Sequence, residues 1–338
     1  MPTIERPGLL TMTASHSPSP SRSSSFSVSV NNAGVRPRGK GWRVIGYRRD
    51  VRAARARLAG LERHYLHSAA YGTIEYAQHG AGPALLLSHP LFGGFDAGTG
   101  LAATYAGDGF RIIAPSRFGY LGSTLPPGAS PAGQADTYAL LLDDLGVDQA
   151  IVFGYSAGGP STIQFALRHP DRTTALVLMA SALPGKSSRP PKPVAQLLFG
   201  SDLAFWVLQR YLPAQLARLL VAKSLRLTPE QWATVRQTEA SFLPVRPRKK
   251  GVLFDIYVSN PAVQHVPLEK IQVPTVVINA KDDPLSAFDN AARAAQRIPG
   301  AKLVTAATGG HLLLGNEQRV REEVAALSGV DRAPSPGQ

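Results

Sequence analysis

An α/β fold with a mostly parallel sheet, interrupted by an all-helical segment, follows from three features of the sequence. From about Tyr65 onward, short apolar runs ending in Gly, Pro or Ser alternate with helical stretches. Between Ala182 and Leu268 that rhythm stops, and only amphipathic helical patterns remain. The chain has 338 residues, 44% of them hydrophobic, enough for one large core of this kind or two modest domains.

The first ~40 residues, which include "TASHSPSPSRSSSFSVSV", are rich in Ser, Pro and Arg. Too few large apolar side chains are present to offset the entropy of ordering, so disorder is expected there. No apolar core of a secretory signal is found, although the Arg/Ser-rich, acid-poor composition resembles an organelle transit peptide. The preferred reading is an over-extended start, with Met12 as the initiator. "YRRDVRAARARLAGLERHYL" then reads as a basic helix, which makes residues 1–64 a tail plus helix.

The runs "TIEYAQHG", "ALLLSHP", "FRIIAPSR", "QAIVFGYS", "TALVLMAS", "PTVVINAKD" and "KLVTAAT" are of strand length. Helical stretches such as "SPAGQADTYALLLDDLG" and "GGPSTIQFALRHP" separate them, the pattern of βαβ units. Residues 65–181 and 269–328 therefore form the core. Residues 182–268 form a helical cap, most simply a lid over the carboxyl ends of the strands, where such sheets bind ligands. Its helices are "SDLAFWVLQRYL", "PAQLARLLVAKSL" and "TPEQWATVRQTEASFL". The last opens with a capping box, Thr228 as N-cap, Pro229 at N1 and Gln231 at N3. Residues 329–338 read as a flexible end.

A net charge of +13 raises the prospect of nucleic-acid binding until the charge is located. Residues 1–67 carry +9 and residues 182–268 carry +8, while the remainder is slightly acidic. A globular body with basic attachments is implied, not a nucleic-acid-binding fold. Arg and Lys beside the apolar stripe of "PAQLARLLVAKSLRL" leave weak association with an anionic membrane open, through cap or tail. There is no cysteine, which excludes disulfides, thiol catalysis and thiolate-bound metals, and fits a reducing, cytoplasmic compartment. Organelle targeting by the tail stays open.

Gly154-x-Ser156-x-Gly158 lies between the apolar run "AIVF" and a helical stretch. A strand–turn–helix setting of this kind lifts a serine into strained geometry, with small neighbours letting strand and helix approach. A dinucleotide-binding glycine loop would need Gly at position 156, and that fingerprint fails. A serine hydroxyl needs a base and a group to orient that base. Of eight histidines, His16, His64 and His67 lie in or near the tail, His79 in a turn, His169 at the end of the elbow helix, His265 near the end of the cap, and His89 after "ALLLS". His311, in "ATGGHLLLG", follows the last strand in a glycine-flanked loop and is the candidate base. Asp282 and Asp283, after "PTVVINA", are the candidate acids.

Four segments in order, "SHPLFGG", "APSRFGYLGS", "GYSAGG" and "AKDDPL…GGH", resemble the α/β-hydrolase fold superfamily over residues 65–325. The resemblance implies a mostly parallel eight-stranded sheet with helices on both faces and the cap inserted after the sixth strand. It implies the order Ser156, Asp, His311, and its spacing around the acid selects Asp283, leaving Asp282 a solvated or loop-capping neighbour. It also implies an oxyanion hole from the backbone N–H of Ala157 and, because Pro90 has none, of Leu91. "APSRFGYLGS" stands where "DxRGxGxS" is usual, so Arg117, Gly119 and Ser123 are read as braces for the loops.

Together these residues suit acyl transfer: Ser156 attacks a carbonyl, His311 shuttles the proton, and Asp283 orients the imidazole. A serine hydrolase of a small to medium, largely apolar ester, lactone or related acyl substrate is expected, esterase-like, without metal or organic cofactor. The alternatives are a lyase, a perhydrolase-type haloperoxidase, an acyltransferase, or a ligand receptor of low turnover. Phe199, Phe205, Trp206, Tyr211, Trp232, Phe242, Phe254 and Tyr257 are available to line the pocket or to form the cap's own core. Oligomeric state is left undetermined.

Overall fold

A computed structural model describes residues 45–222 and 226–328. The expected disordered tail and flexible end lie outside the described residues. Among the described residues, eight strands form one sheet: β1 His64–Ser68, β2 Gly72–His79, β3 Ala84–Ser88, β4 Arg111–Pro115, β5 Ala150–Tyr155, β6 Thr173–Met179, β7 Thr275–Ala280 and β8 Lys302–Ala306. Their order is β1-β2-β4-β3-β5-β6-β7-β8; the pairings β1–β2 and β2–β4 are antiparallel, and the remaining five are parallel.

Alternating side chains send the two faces of each strand into separate layers. Leu85, Leu87, Ile151 and Phe153 pack with Ala102 and Tyr105 of α2 (Phe95–Tyr105) and Val320 and Val324 of α12 (Glu317–Leu327). On the other face, Leu86, Ile113 and Val152 meet Tyr138 and Leu142 of α3 (Pro131–Asp144) and Phe165 of α4 (Gly159–Arg168). Leu176, Leu178 and Val277 continue that layer against Ala291 and Ala294 of α11 (Phe288–Arg297). Strands buried on both faces explain the nearly unbroken apolar runs in the sequence.

Two sequence-based boundaries require correction. The basic helix read across residues 47–66 ends sooner: α1 spans Ile45–Ala59, and β1 follows. His64 and His67 therefore stand on an edge strand, and His79 ends β2 instead of sitting in a turn. The last helical bond runs from Gly60 N to the Ala56 carbonyl at 3.0 Å, and the alternating exposure of "HYLHS" suits an edge strand. Nor is α1 a mere attachment. Ala54 joins the cluster of Phe205, Trp206, Leu216, Leu243 and Val245, and Trp206 Nε1 donates to Asp50 Oδ2 at 2.9 Å.

Between β6 and β7 the described residues contain only helices and loops. These are α5 Lys192–Gly200, α6 Asp202–Tyr211, α7 Pro213–Leu220, α8 Pro229–Ser241, α9 Lys249–Phe254, a π-helical turn Asp255–Ser259 and α10 Asn260–Ala262. The capping box of α8 forms as read, with Thr228 Oγ1 accepting from Gln231 N and Gln231 Oε1 accepting from Thr228 N.

On α8, Glu239 is buried, and its Oε1 has no hydrogen-bond partner among the described residues. Burial holds its carboxyl up at about 7, against the opposing pull of Arg236. Above the ordinary value of 4.5, the folded chain keeps a proton that the unfolded chain has released. This group's contribution to stability therefore falls as pH rises from about 4.5 to about 7. Denaturant unfolding of wild type and Glu239→Gln at pH 5 and pH 8 isolates it. After allowance for partial solvation, the variant should gain about 1–2 kcal/mol on wild type between those values. Parallel curves at both pH values would rule out a titrating Glu239.

Among the described residues, five non-glycine residues take positive φ: Phe92 (61°), Leu121 (51°), Ser156 (52°), Ala180 (44°) and Leu313 (49°). Each lies on a loop leaving the carboxyl end of a parallel strand.

Candidate active site

Strand order changes direction between β3 and β5, which places the loops after these two strands side by side. Ser88 pairs with Gly154 in the register, so the segment His89–Leu91 and the turn at Ser156 emerge together. Ser156 follows β5 directly, in left-handed geometry, and opens a 3₁₀ turn that leads into α4. Steric room decides why its flanking residues are glycines. A Cβ at Gly154 would stand 2.2 Å from Thr162 Oγ1, and one at Gly158 only 2.1 Å from the Ser88 carbonyl oxygen. Any larger residue would push α4 off β5, or the elbow off β3.

His311 Nε2 lies 2.9 Å from Ser156 Oγ, and its Nδ1 lies 2.9 and 3.1 Å from the carboxylate oxygens of Asp283. With Nδ1–H donating to the carboxylate, Nε2 is left to accept the serine proton. Asp283 Oδ1 also accepts from the N–H groups of Leu285 and Ser286, at 2.8 and 2.9 Å, which fix its orientation. Asp282 is turned to a different task. Its oxygens accept from Gly310 N at 2.9 Å and Gly309 N at 3.3 Å, capping the loop that carries the histidine.

Two tyrosines hold the same loop, and neither was singled out in the sequence. Tyr155 stacks on the His311 ring at 5.6 Å, and its hydroxyl donates to the His311 carbonyl at 2.9 Å. Tyr105 donates to the Leu312 carbonyl at 2.5 Å. Burial raises the pKa of both phenols, keeping them as donors. Aromatic residues inside apolar runs read as core, so only their paired hydroxyls betray this role. Leu312 and Leu314 pack under Ala217, Leu220 and Val235 of α7 and α8.

On the other side of Ser156, the turn at 90–93 closes through Gly93 N to the Pro90 carbonyl at 3.1 Å. Among the described residues, the Leu91 N–H has no hydrogen-bond partner. The Ala157 N–H belongs to the first turn after the elbow, where helical geometry supplies no acceptor. His89 is buried, with Nδ1 donating to the Pro90 carbonyl at 2.8 Å and Nε2 accepting from Arg117 N at 3.0 Å. Burial, reinforced by Arg117, lowers its pKa well below the ordinary histidine value, so it serves as a neutral strut. Ser123 Oγ donates to the Ser116 carbonyl at 2.7 Å, in keeping with a bracing role for that turn.

The aromatic residues of the insert divide. Phe205 and Trp206 share a cluster with Ala54 of α1, and Phe205 also packs on Phe92 with ring centroids 5.4 Å apart; Phe254 packs on Phe118, and Trp232 packs beside Leu312. Phe199 and Tyr257 accompany Leu91 and Phe92 on the loop after β3. Phe92 also contacts Phe242, with ring centroids 5.1 Å apart, while Tyr211 is half exposed. Among the described residues no group of three His, Asp or Glu could hold a metal ion, and no helix is long and apolar enough to cross a membrane.

Sheet order and elbow define an α/β fold with its candidate site on the loops at the carboxyl ends of the strands. The chain belongs to the alpha/beta hydrolase fold family, whose model matches residues 83–318. It is 28% identical over 262 residues to the uncharacterized hydrolase YcgS of Bacillus subtilis, covering 73% of this chain and 91% of that one. It is also 28% identical over 266 residues to a 2-hydroxymuconate semialdehyde hydrolase of Pseudomonas putida, covering 75% and 86%. Among solved structures, an alpha/beta hydrolase fold protein from Nakamurella multipartita superposes with a TM-score of 0.66 at 29% identity, covering 79% of this chain and 98% of that one. Like these relatives, the chain is a hydrolase of this fold.

Proposed function

We propose that the chain is a serine hydrolase cleaving an ester, lactone or related acyl bond of a small to medium, largely apolar substrate. The observation that carries this reading is the hydrogen-bonded line from Ser156 through His311 to Asp283. In the proposed cycle, Ser156 Oγ attacks the carbonyl carbon as His311 Nε2 takes its proton. The oxyanion is held by the N–H groups of Ala157 and Leu91. His311 then returns the proton to the leaving alcohol, leaving an acyl-serine. Water, deprotonated by His311, attacks that ester, and Ser156 recovers its proton as the acid departs. Asp283 keeps Nδ1 protonated and stabilises the imidazolium without taking its proton. Leu91, Phe92, Phe199 and Tyr257 supply apolar surface beside the oxyanion loop, which supports the preference for an apolar acyl group. The semialdehyde named for one relative belongs in the substrate screen.

A fluorophosphonate probe tests the acyl-enzyme step. Wild type should take one label, found by mass spectrometry on Ser156, and Ser156→Ala should take none. Correctly folded wild type that resists labelling would rule out an activated serine.

A further inference from the structure

We infer that Asp255 and Arg248, both on the limb of the insert that returns to the sheet, are positioning residues for the oxyanion loop His89–Asp96. The inference rests on the reading of Leu91 as an oxyanion donor. Two buried ion pairs cross between core and insert in opposite senses. Arg117 of the core meets Asp255 through two parallel 2.6 Å hydrogen bonds. Arg248 of the insert meets Asp96 of the core at 2.7 and 3.1 Å. Asp255 and Arg248 are both fully buried.

Each guanidinium spends a further N–H on the loop itself. Arg117 Nε donates to the His89 carbonyl at 3.0 Å, and Arg248 donates to the Gly93 carbonyl. These two carbonyls bracket Leu91. The planar fork of an arginine held bidentately has little rotational freedom, so moving its carboxylate moves the carbonyl at its other edge. Tyr120 fixes Asp255 further, donating to Oδ2 at 2.5 Å. Backbone bonds from Leu121 N to the Pro247 carbonyl (2.8 Å) and from Gly251 N to the Gly119 carbonyl (2.9 Å) fasten the same limb to the turn after β4. The seating of residues 247–255 thus sets the aim of the Leu91 N–H.

The test uses the full chain, with wild type, Asp255→Asn, Arg117→Lys and Arg248→Lys, and Arg297→Gln as a surface control. The lysine variants keep the charge but lose the fork, and they carry the test if Asp255→Asn does not fold. Steady-state hydrolysis of an ester, the rate of fluorophosphonate labelling and hydrogen exchange over residues 89–96 are measured together. Misplacing one oxyanion donor should lower kcat about 100-fold in Asp255→Asn while KM changes little. Labelling should slow in parallel, and exchange should quicken over 89–96 before the rest of the core. The lysine variants should show smaller effects of the same kind, and the control none. Folded variants with unchanged kcat and unchanged exchange at 89–96 would overturn the inference. So would a kcat loss that only tracks a smaller folded fraction, with exchange rising everywhere. If wild type takes no label at all, the proposed acyl-enzyme chemistry fails, and exchange at 89–96 still decides whether the clamp holds the loop.

Discussion

Replacing His311 with alanine should lower kcat by about a million-fold on any ester the wild type hydrolyses, with KM little changed. Ser156→Ala should do the same, and the double variant should be no worse than either single one. Ser156 Oγ lies 2.9 Å from His311 Nε2, and in the proposed cycle breaking that line of proton transfer at either point removes the whole nucleophilic route. Residual catalysis would come from the oxyanion N–H groups and substrate binding. Steady-state kinetics on extensively purified variants decide the matter. Losses that multiply in the double variant would mean that serine and histidine act separately.

The second large effect separates two adjacent carboxylates. Asp283→Asn should cost about 10⁴-fold in kcat, because an amide facing Nδ1 favours the wrong tautomer of His311. Asp282→Asn should cost no more than about tenfold, in line with loosening of a single pair of loop-capping hydrogen bonds. Asp283 reaches the imidazole at 2.9 Å, whereas Asp282 reaches only the N–H groups of Gly309 and Gly310. Should Asp282→Asn prove the more damaging, the roles of the two residues are exchanged.

Legibility of the fold followed burial. Strands buried on both faces, such as "ALLLS" and "AIVFGY", show as unbroken apolar runs, and seven of the eight coincide with runs read from the sequence. β1 escaped because "HYLHS" is a half-exposed edge, whose polar residues continue the basic character of α1. The site was legible wherever glycine spacing betrays close backbone approach, at Gly154–Gly158 and before His311. It was illegible wherever long-range partners define it. Nothing local distinguishes Asp255 from any other acid on a helix, although its partner Arg117 lies 138 positions away and donates to the His89 carbonyl. Tyr105 and Tyr155 were hidden for the same reason: their rings belong to the core pattern, and their hydroxyls reach residues more than 150 positions distant.

The positive-φ residues carry a consequence for directed evolution. Phe92, Leu121, Ser156, Ala180 and Leu313 hold backbone geometry that glycine would adopt at lower cost. A library sorted only for heat resistance will be drawn toward relaxing these loops, at Leu313 beside the proposed general base and at Phe92 beside the proposed oxyanion donor. The relaxed loops are the ones that carry the proposed reacting groups, so thermostable winners from such a sort are expected among the poorest catalysts. Stabilising changes are better sought on the opposite rim of the sheet, where the strands begin.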